Sequence, residues 1–164
     1  MSNEVRTEDL AEYSASETPE DAIIEQALRI IERRARATDG TPMTSPKAVY
    51  AYFRLRLGEL EHEAFSVAFL DAQNRLICTE EIFRGTLTQT SVYPREVVKL
   101  ALQHNAAAII CAHNHPSGNV EPSNADTRLT EVLKRTLALV DVKVLDHVIV
   151  SPFAAMSFAE RGLL

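Results

Sequence analysis

Two histidines two residues apart, His113 and His115, close an uninterrupted apolar run from Ala106 to Ala112. A run of that length reads as a strand covered on both faces. In extended chain, positions i and i+2 point to the same side, so the two imidazoles can converge on one ion. Pro116, Ser117 and Gly118 then turn the chain, and Pro122-Ser123 starts a helix that carries Asp126, eleven residues beyond His115. Ser123-x-x-Asp126 is a capping-box pattern, which would aim the Asp126 carboxylate at its own helix amides. Helical phase argues for another orientation. Leu133 and Leu137 lie seven and eleven residues on, both close to whole turns, so Asp126 shares the inward stripe and points toward the sheet. An inward carboxylate needs a partner. Two histidines around a divalent metal supply one. Three N and O ligands leave a fourth position for water, as in catalytic rather than structural zinc sites. The string His113-Asn114-His115 spells the letters of HNH nucleases, but those residues are spread over a ββα-metal unit and these end a strand. His62 and His104 read as surface or helix-end residues, and His147 as structural.

The elements that must position these groups follow from patterning. Residues 1–17 are polar, acidic and aperiodic and read as a flexible arm. Thr18-Pro19-Glu20-Asp21 is a helix start, with Ile23, Ile24, Ala27, Leu28 and Ile31 at helical spacing. Arg33, Arg34 and Arg36 complement the dipole of its last turn. A linker over 38–42 follows, so 18–41 is a helix and linker, and 42–164 is the domain proper. Ser45-Pro46 opens a second helix with Val49, Tyr52, Phe53, Leu55 and Leu57 on its apolar side. Phe65, Val67 and Phe69 alternate with Ala64, Ser66 and Ala68, which predicts a strand. Asp71 to Asn74 is a hairpin turn into a second strand, Arg75 to Arg84, and Gly85 to Ser91 is loop. Tyr93-Pro94 opens a third helix carrying Val97, Val98, Leu100 and Ala101. The fourth has Leu129, Val132, Leu133, Leu137 and Val140 inward. A strand from Val142 to Val150 and a short one within Ala155 to Phe158 complete the chain. The order α-α-β-β-α-β-α-β predicts an α/β protein of the α+β type, a mixed β-sheet flanked by helices.

Charge bounds the partners. The 164 residues carry a net charge of −6, with 46% apolar and 24% charged residues, an ordinary globular composition. Residues 1–21 hold seven acids against one base, Arg6, whereas 22–164 hold sixteen of each. The acidity therefore belongs to the arm, and the neutral domain has no basic excess with which to hold phosphates, which argues against nucleic acid as a partner. Cys78 and Cys111 sit in apolar runs and read as two buried thiols of a reducing compartment. The acidic N-terminus does not resemble a secretory signal, and no apolar window reaches the ~18 residues of a membrane span. The expectation is a cytoplasmic protein with no membrane contact.

The spacing His113-x-His115-x(7)-Ser123-x-x-Asp126 matches the JAMM motif of JAB/MPN zinc metalloproteases without a gap. The wider string YPREVVKLALQHNAAAIICAHNHPSG, then PSNAD, DHVIV and SFAERGLL, resembles the RadC branch over residues 42–164. The arrangement is similar to its short members, which lack the N-terminal helix-hairpin-helix region of longer ones. The resemblance implies a cytidine-deaminase-like JAB/MPN architecture and one Zn²⁺ per chain held by His113, His115 and Asp126. It also implies hydrolysis of a peptide or isopeptide bond in a protein substrate. A glutamate from an earlier strand acts on the water in that family, and the counterpart is Glu63. Glu61, read as lying on the same strand face, is the competing choice that patterning alone leaves open. Ser123 is similar to the motif serine that helps to hold the oxyanion. One departure is Asn114, where the wider motif has Ser or Thr; it fits the RadC branch and argues against eukaryotic-type isopeptidase specificity.

Overall fold

The computed structural model describes residues 18–37, 43, 45–85 and 92–164. The expected arm at 1–17 and linker over 38–42 lie outside the described residues, as does the expected loop over 85–91 apart from Gly85, which ends a strand instead. The elements run α1 (Pro19–Arg36), α2 (Pro46–Leu57), β1 (Glu63–Leu70), β2 (Leu76–Gly85), α3 (Pro94–Gln103), β3 (Ala108–Asn114), α4 (Asn124–Ala138), β4 (Lys143–Val150) and β5 (Ala155–Ser157). Proline opens α1, α2 and α3, where its fixed φ suits the first turn and its missing N–H would have lacked a partner anyway. The predicted capping box of α1 is made, with Thr18 Oγ1 accepting from the Asp21 amide and Asp21 accepting from the Thr18 amide.

The strands form one sheet in the order β2-β1-β3-β4-β5. β1 is antiparallel to both β2 and β3, β3 and β4 are parallel, and β5 returns antiparallel to β4. A parallel pair needs a crossover, and α4 supplies it. In the β1–β2 hairpin, Asp71 Oδ1 accepts from the amides of Gln73 and Arg75, while Asn74 takes φ 59°, which Asn tolerates.

Helices cover both faces. Ala64, Ala68, Ile110, Ala112, Val148 and Val150 pack under α1 and α2. Phe65, Val67, Phe69, Ile109 and Cys111 pack under α3 and α4, chiefly against Val97, Ala101, Leu133 and Leu137. Every residue of β3 is buried, as its uninterrupted apolar run requires. The result is the expected mixed sheet flanked by helices, consistent with a JAB/MPN fold.

Several apolar positions differ from their expected burial. Leu55, Val132 and Ile23 are exposed, at 40%, 37% and 65%. Each stands about a quarter turn or more off the inward stripe of its helix, set by Phe53, Leu133 and Leu28 respectively. Cys78 is half-buried rather than buried, because β2 is the edge strand; Cys111, on central β3, is buried, and both thiols are free. Among the described residues, no helix is long and apolar enough to cross a membrane.

Leu133 is fully buried where α4 meets the sheet, so Leu133→Ala should cost about 2–5 kcal/mol in urea unfolding. Leu139→Ala, at a position 85% exposed, should stay within about 0.5 kcal/mol of the parent.

Candidate metal centre

The centre lies where β3 ends, on the sheet face covered by α3 and α4. Alternation along β3 sends Ile109, Cys111 and His113 to that face. The His113 ring stacks near Phe65, its neighbour across the ladder, with centroids 6.1 Å apart. His115 follows one residue past the strand, and its amide still donates to Val150 O. Asp126 comes in on the first turn of α4. His113 Nε2 is 3.0 Å from His115 Nε2 and 3.3 Å from Asp126 Oδ1, and His115 Nε2 is 3.8 Å from Asp126 Oδ2.

Both readings of Asp126 hold at once, which corrects the opposition drawn from helical phase. Its Oδ2 accepts from the Ser123 amide, completing the capping box, while Oδ1 faces His113. Ser123 Oγ accepts from the Asp126 amide, so its own hydroxyl proton is left to donate elsewhere.

Hydrogen bonding fixes where the imidazole protons sit. Thr130 Oγ1 donates its single proton to Asp126 O, at 2.7 Å. The same hydroxyl lies 2.6 Å from His147 Nδ1, which must therefore be the donor. Burial strongly disfavours a charged His147, with His113 and His115 adding repulsion, so its other nitrogen, Nε2, is an acceptor. That acceptor is 2.8 Å from His113 Nδ1, which must donate to it. Burial also lowers the His113 pKa, to about 4, with Asp126 opposing and His115 reinforcing the shift. A neutral His113 protonated on Nδ1 has its lone pair on Nε2. His115 Nδ1 donates to Asn119 O at 2.7 Å, which sets the same tautomer there. Two nitrogen lone pairs and a carboxylate oxygen thus converge with no donor among them. Only a cation or an added proton satisfies that arrangement. A tetrahedral zinc ion, with bonds of about 2.0–2.2 Å, spaces N and O ligands by roughly 3.3–3.5 Å. The three donors fit such an ion.

Glu63 opens β1. Because Phe65 pairs with His113 in an antiparallel ladder, the register carried on by two residues sets Glu63 level with His115. It shares the face of Phe65 and is half-buried. Glu61 is exposed and lies in a bend before the strand, not on its face as expected. The reason is Asn114. Its side chain points to the opposite sheet face, where Oδ1 accepts from the Ala64 amide and Nδ2 donates to Leu60 O and His62 O. These bonds replace ladder pairing, so β1 starts at Glu63. They also draw His62 in: it is half-buried, not at the surface, and its Nε2 lacks a partner among the described residues. His104 caps α3 as expected.

His147, Thr130, Asn119 and the clamp made by Asn114 were not legible as partners of the centre. Thr130 lies four residues beyond Asp126, one turn along the same stripe, which is the one available signal. His147 reaches His113 only through the parallel register that pairs it with Cys111.

A family model described as the RadC-like JAB domain matches residues 43–163. The chain belongs to this family. RadC-like relatives support it: a UPF0758 protein of Nitrosospira multiformis is 60% identical over 87% of this chain, and one of Acidovorax sp. is 59% identical over 87%. Another, of Aromatoleum aromaticum, is 62% identical over 85%. The chain spans 63% and 59% of the length of the first two of these relatives.

Between pH 6.5 and 4 the unfolded chain binds more protons than the fold at His113, so stability should fall as pH drops through that window. In chelator-treated protein His113 alone should remove about 2 kcal/mol between pH 7 and pH 5, read from urea midpoints; no change would mean that the histidines are protonated in the fold. Asn114→Ala leaves three backbone groups unpaired and should cost about 2–3 kcal/mol in the same assay.

Proposed function

We propose that the domain is a zinc-dependent hydrolase of the JAMM type, cleaving a peptide or isopeptide bond in a protein substrate. The observation that carries this reading is the convergence of His113 Nε2, His115 Nε2 and Asp126 Oδ1, with Glu63 level with them on the same sheet face. A scaffold that only bound metal would not need a carboxylate there.

His113, His115 and Asp126 would hold the ion. Bound there, zinc supplies Lewis acidity, lowering the pKa of water toward about 7 and polarising a carbonyl. Glu63 takes the proton of the attacking water and returns it to the leaving nitrogen. Ser123 Oγ accepts from the Asp126 amide and, among the described residues, its hydroxyl proton is left to stabilise the developing oxyanion. Asn114 keeps Glu63 in register with the histidines by pinning the start of β1. His147 and Asn119 hold the two imidazoles in the tautomer that faces a metal. The neutral charge balance of residues 22–164 supports a polypeptide rather than a nucleic acid as substrate.

Digestion of an unbiased peptide and isopeptide library tests the reading. The parent protein should hold about one zinc at the His113 centre and show chelator-sensitive cleavage. His113→Ala should lose that one equivalent. Glu63→Gln should keep it and lose cleavage by ~100-fold or more. Full metal content with no chelator-sensitive cleavage of any member would instead favour a metal-binding interaction module.

A further inference from the structure

A second group of donors gathers at the β2 edge, apart from the His113 centre. Cys78 and Glu80 lie two residues apart on β2 and project to one side. Their ladder partners, Phe69 and Val67, belong to the core under α3 and α4, which fixes that side. His104, the C-cap residue of α3, reaches the same place from the helix. Its ring packs on Phe69 with centroids 5.1 Å apart, and its Nε2 is 3.1 Å from Glu80 Oε1. The Cys78 sulfur, a Glu80 oxygen and a His104 nitrogen all lie within 4.8 Å of one another. All three residues are half-buried, so packing holds them while solvent still reaches them.

We propose that Cys78, Glu80 and His104 form a second metal site, for a borderline divalent transition ion of the zinc type. Tetrahedral zinc, with a sulfur bond of about 2.3 Å and N or O bonds of about 2.0–2.2 Å, spaces its ligands by roughly 3.3–3.7 Å. Rotation of the Cys78 and Glu80 side chains would close the cluster to that size. Thiolate, imidazole and carboxylate together select zinc-like ions over magnesium or calcium. Binding exchanges the His104–Glu80 hydrogen bond for two bonds to the ion: the His104 proton passes from Nε2 to Nδ1 through solvent, which frees the Nε2 lone pair, and the Cys78 thiol releases its proton to solvent as the sulfur–metal bond forms. The ion would clamp the edge strand β2 to the end of α3 and keep a fourth position open to water. Phe69 is four residues along β1 from Phe65, the partner of His113, so the two sites stand about 13 Å apart along the sheet. The proposal does not rest on hydrolytic activity.

Cobalt(II) separates the sites, because only a thiolate ligand gives an intense near-ultraviolet sulfur-to-metal charge-transfer band. The His113 centre contains no sulfur. Chelator-stripped full-length chain titrated with Co²⁺ should gain this band, saturating at about one thiolate-bound cobalt per chain. The band should persist in Cys111→Ser and in His113→Ala and vanish in Cys78→Ser. His104→Ala should weaken the cobalt affinity read from the band by more than ~100-fold, beyond the loss of an outer hydrogen-bond partner. No band in the parent, or a band that survives in Cys78→Ser, overturns the site. If Cys78→Ser does not fold, unchanged band affinity in both His104→Ala and Glu80→Gln overturns it equally.

Discussion

The fold turns on one buried relay. His113 Nδ1 donates to His147 Nε2, His147 Nδ1 donates to Thr130 Oγ1, and Thr130 donates to Asp126 O. The relay begins on α4, passes through β4 and ends on β3, so it ties together the three elements that meet at the site. Buried polar groups are costly when unpaired, and each member satisfies the next. The relay starts at a carbonyl, which can only accept, so every proton along it has a determined position. Its far end is the lone pair of His113 Nε2, aimed at Asp126 and His115. The residue that begins the relay with its carbonyl ends it with its carboxylate. The helix turn that caps α4 is therefore also the part that completes the candidate metal centre.

The other face of β3 serves the same site. Period-two alternation sends His113 toward α4 and Asn114 toward α2, and Asn114 spends its full amide on the backbone at the start of β1. That clamp sets where β1 begins and hence which glutamate enters the sheet. Ser or Thr at this position could not span Leu60, His62 and Ala64 with one hydroxyl. The departure from the wider JAMM pattern thus has a mechanical meaning: the carboxamide fixes the strand entrance. The loop between His115 and Ser123 is held from outside by the paired bonds of Arg161 to Glu121, at 2.7 and 2.8 Å. Both side chains are largely solvated, so this pair adds orientation more than stability.

Much of this was legible in one dimension. The apolar run before His113, the Pro-Ser-Gly turn and the Ser123-x-x-Asp126 spacing identify the converging donors, because strand and helix periods are local properties of the chain. Pro19, Pro46 and Pro94 mark helix starts for the same reason. Burial at the margins was less legible: Leu55 and Val132 are apolar but sit off the inward stripe, and hydrophobicity alone does not report angle. The choice between Glu61 and Glu63 came from resemblance, not from patterning, since both are acids beside the same predicted strand.

By itself, the sequence determined the elements, their order, and the residues His113, His115 and Asp126, because each depends on contacts within a few residues. Only the tertiary structure decided how the imidazole protons are placed, why Glu63 and not Glu61 enters the sheet, and that Cys78, Glu80 and His104 share a corner. Those facts depend on the register of β1 against β3, of β3 against β4, and of β2 under α3. Register is a relation between strands distant in the chain, fixed by the packing of two hydrophobic faces at once, and no local period encodes it.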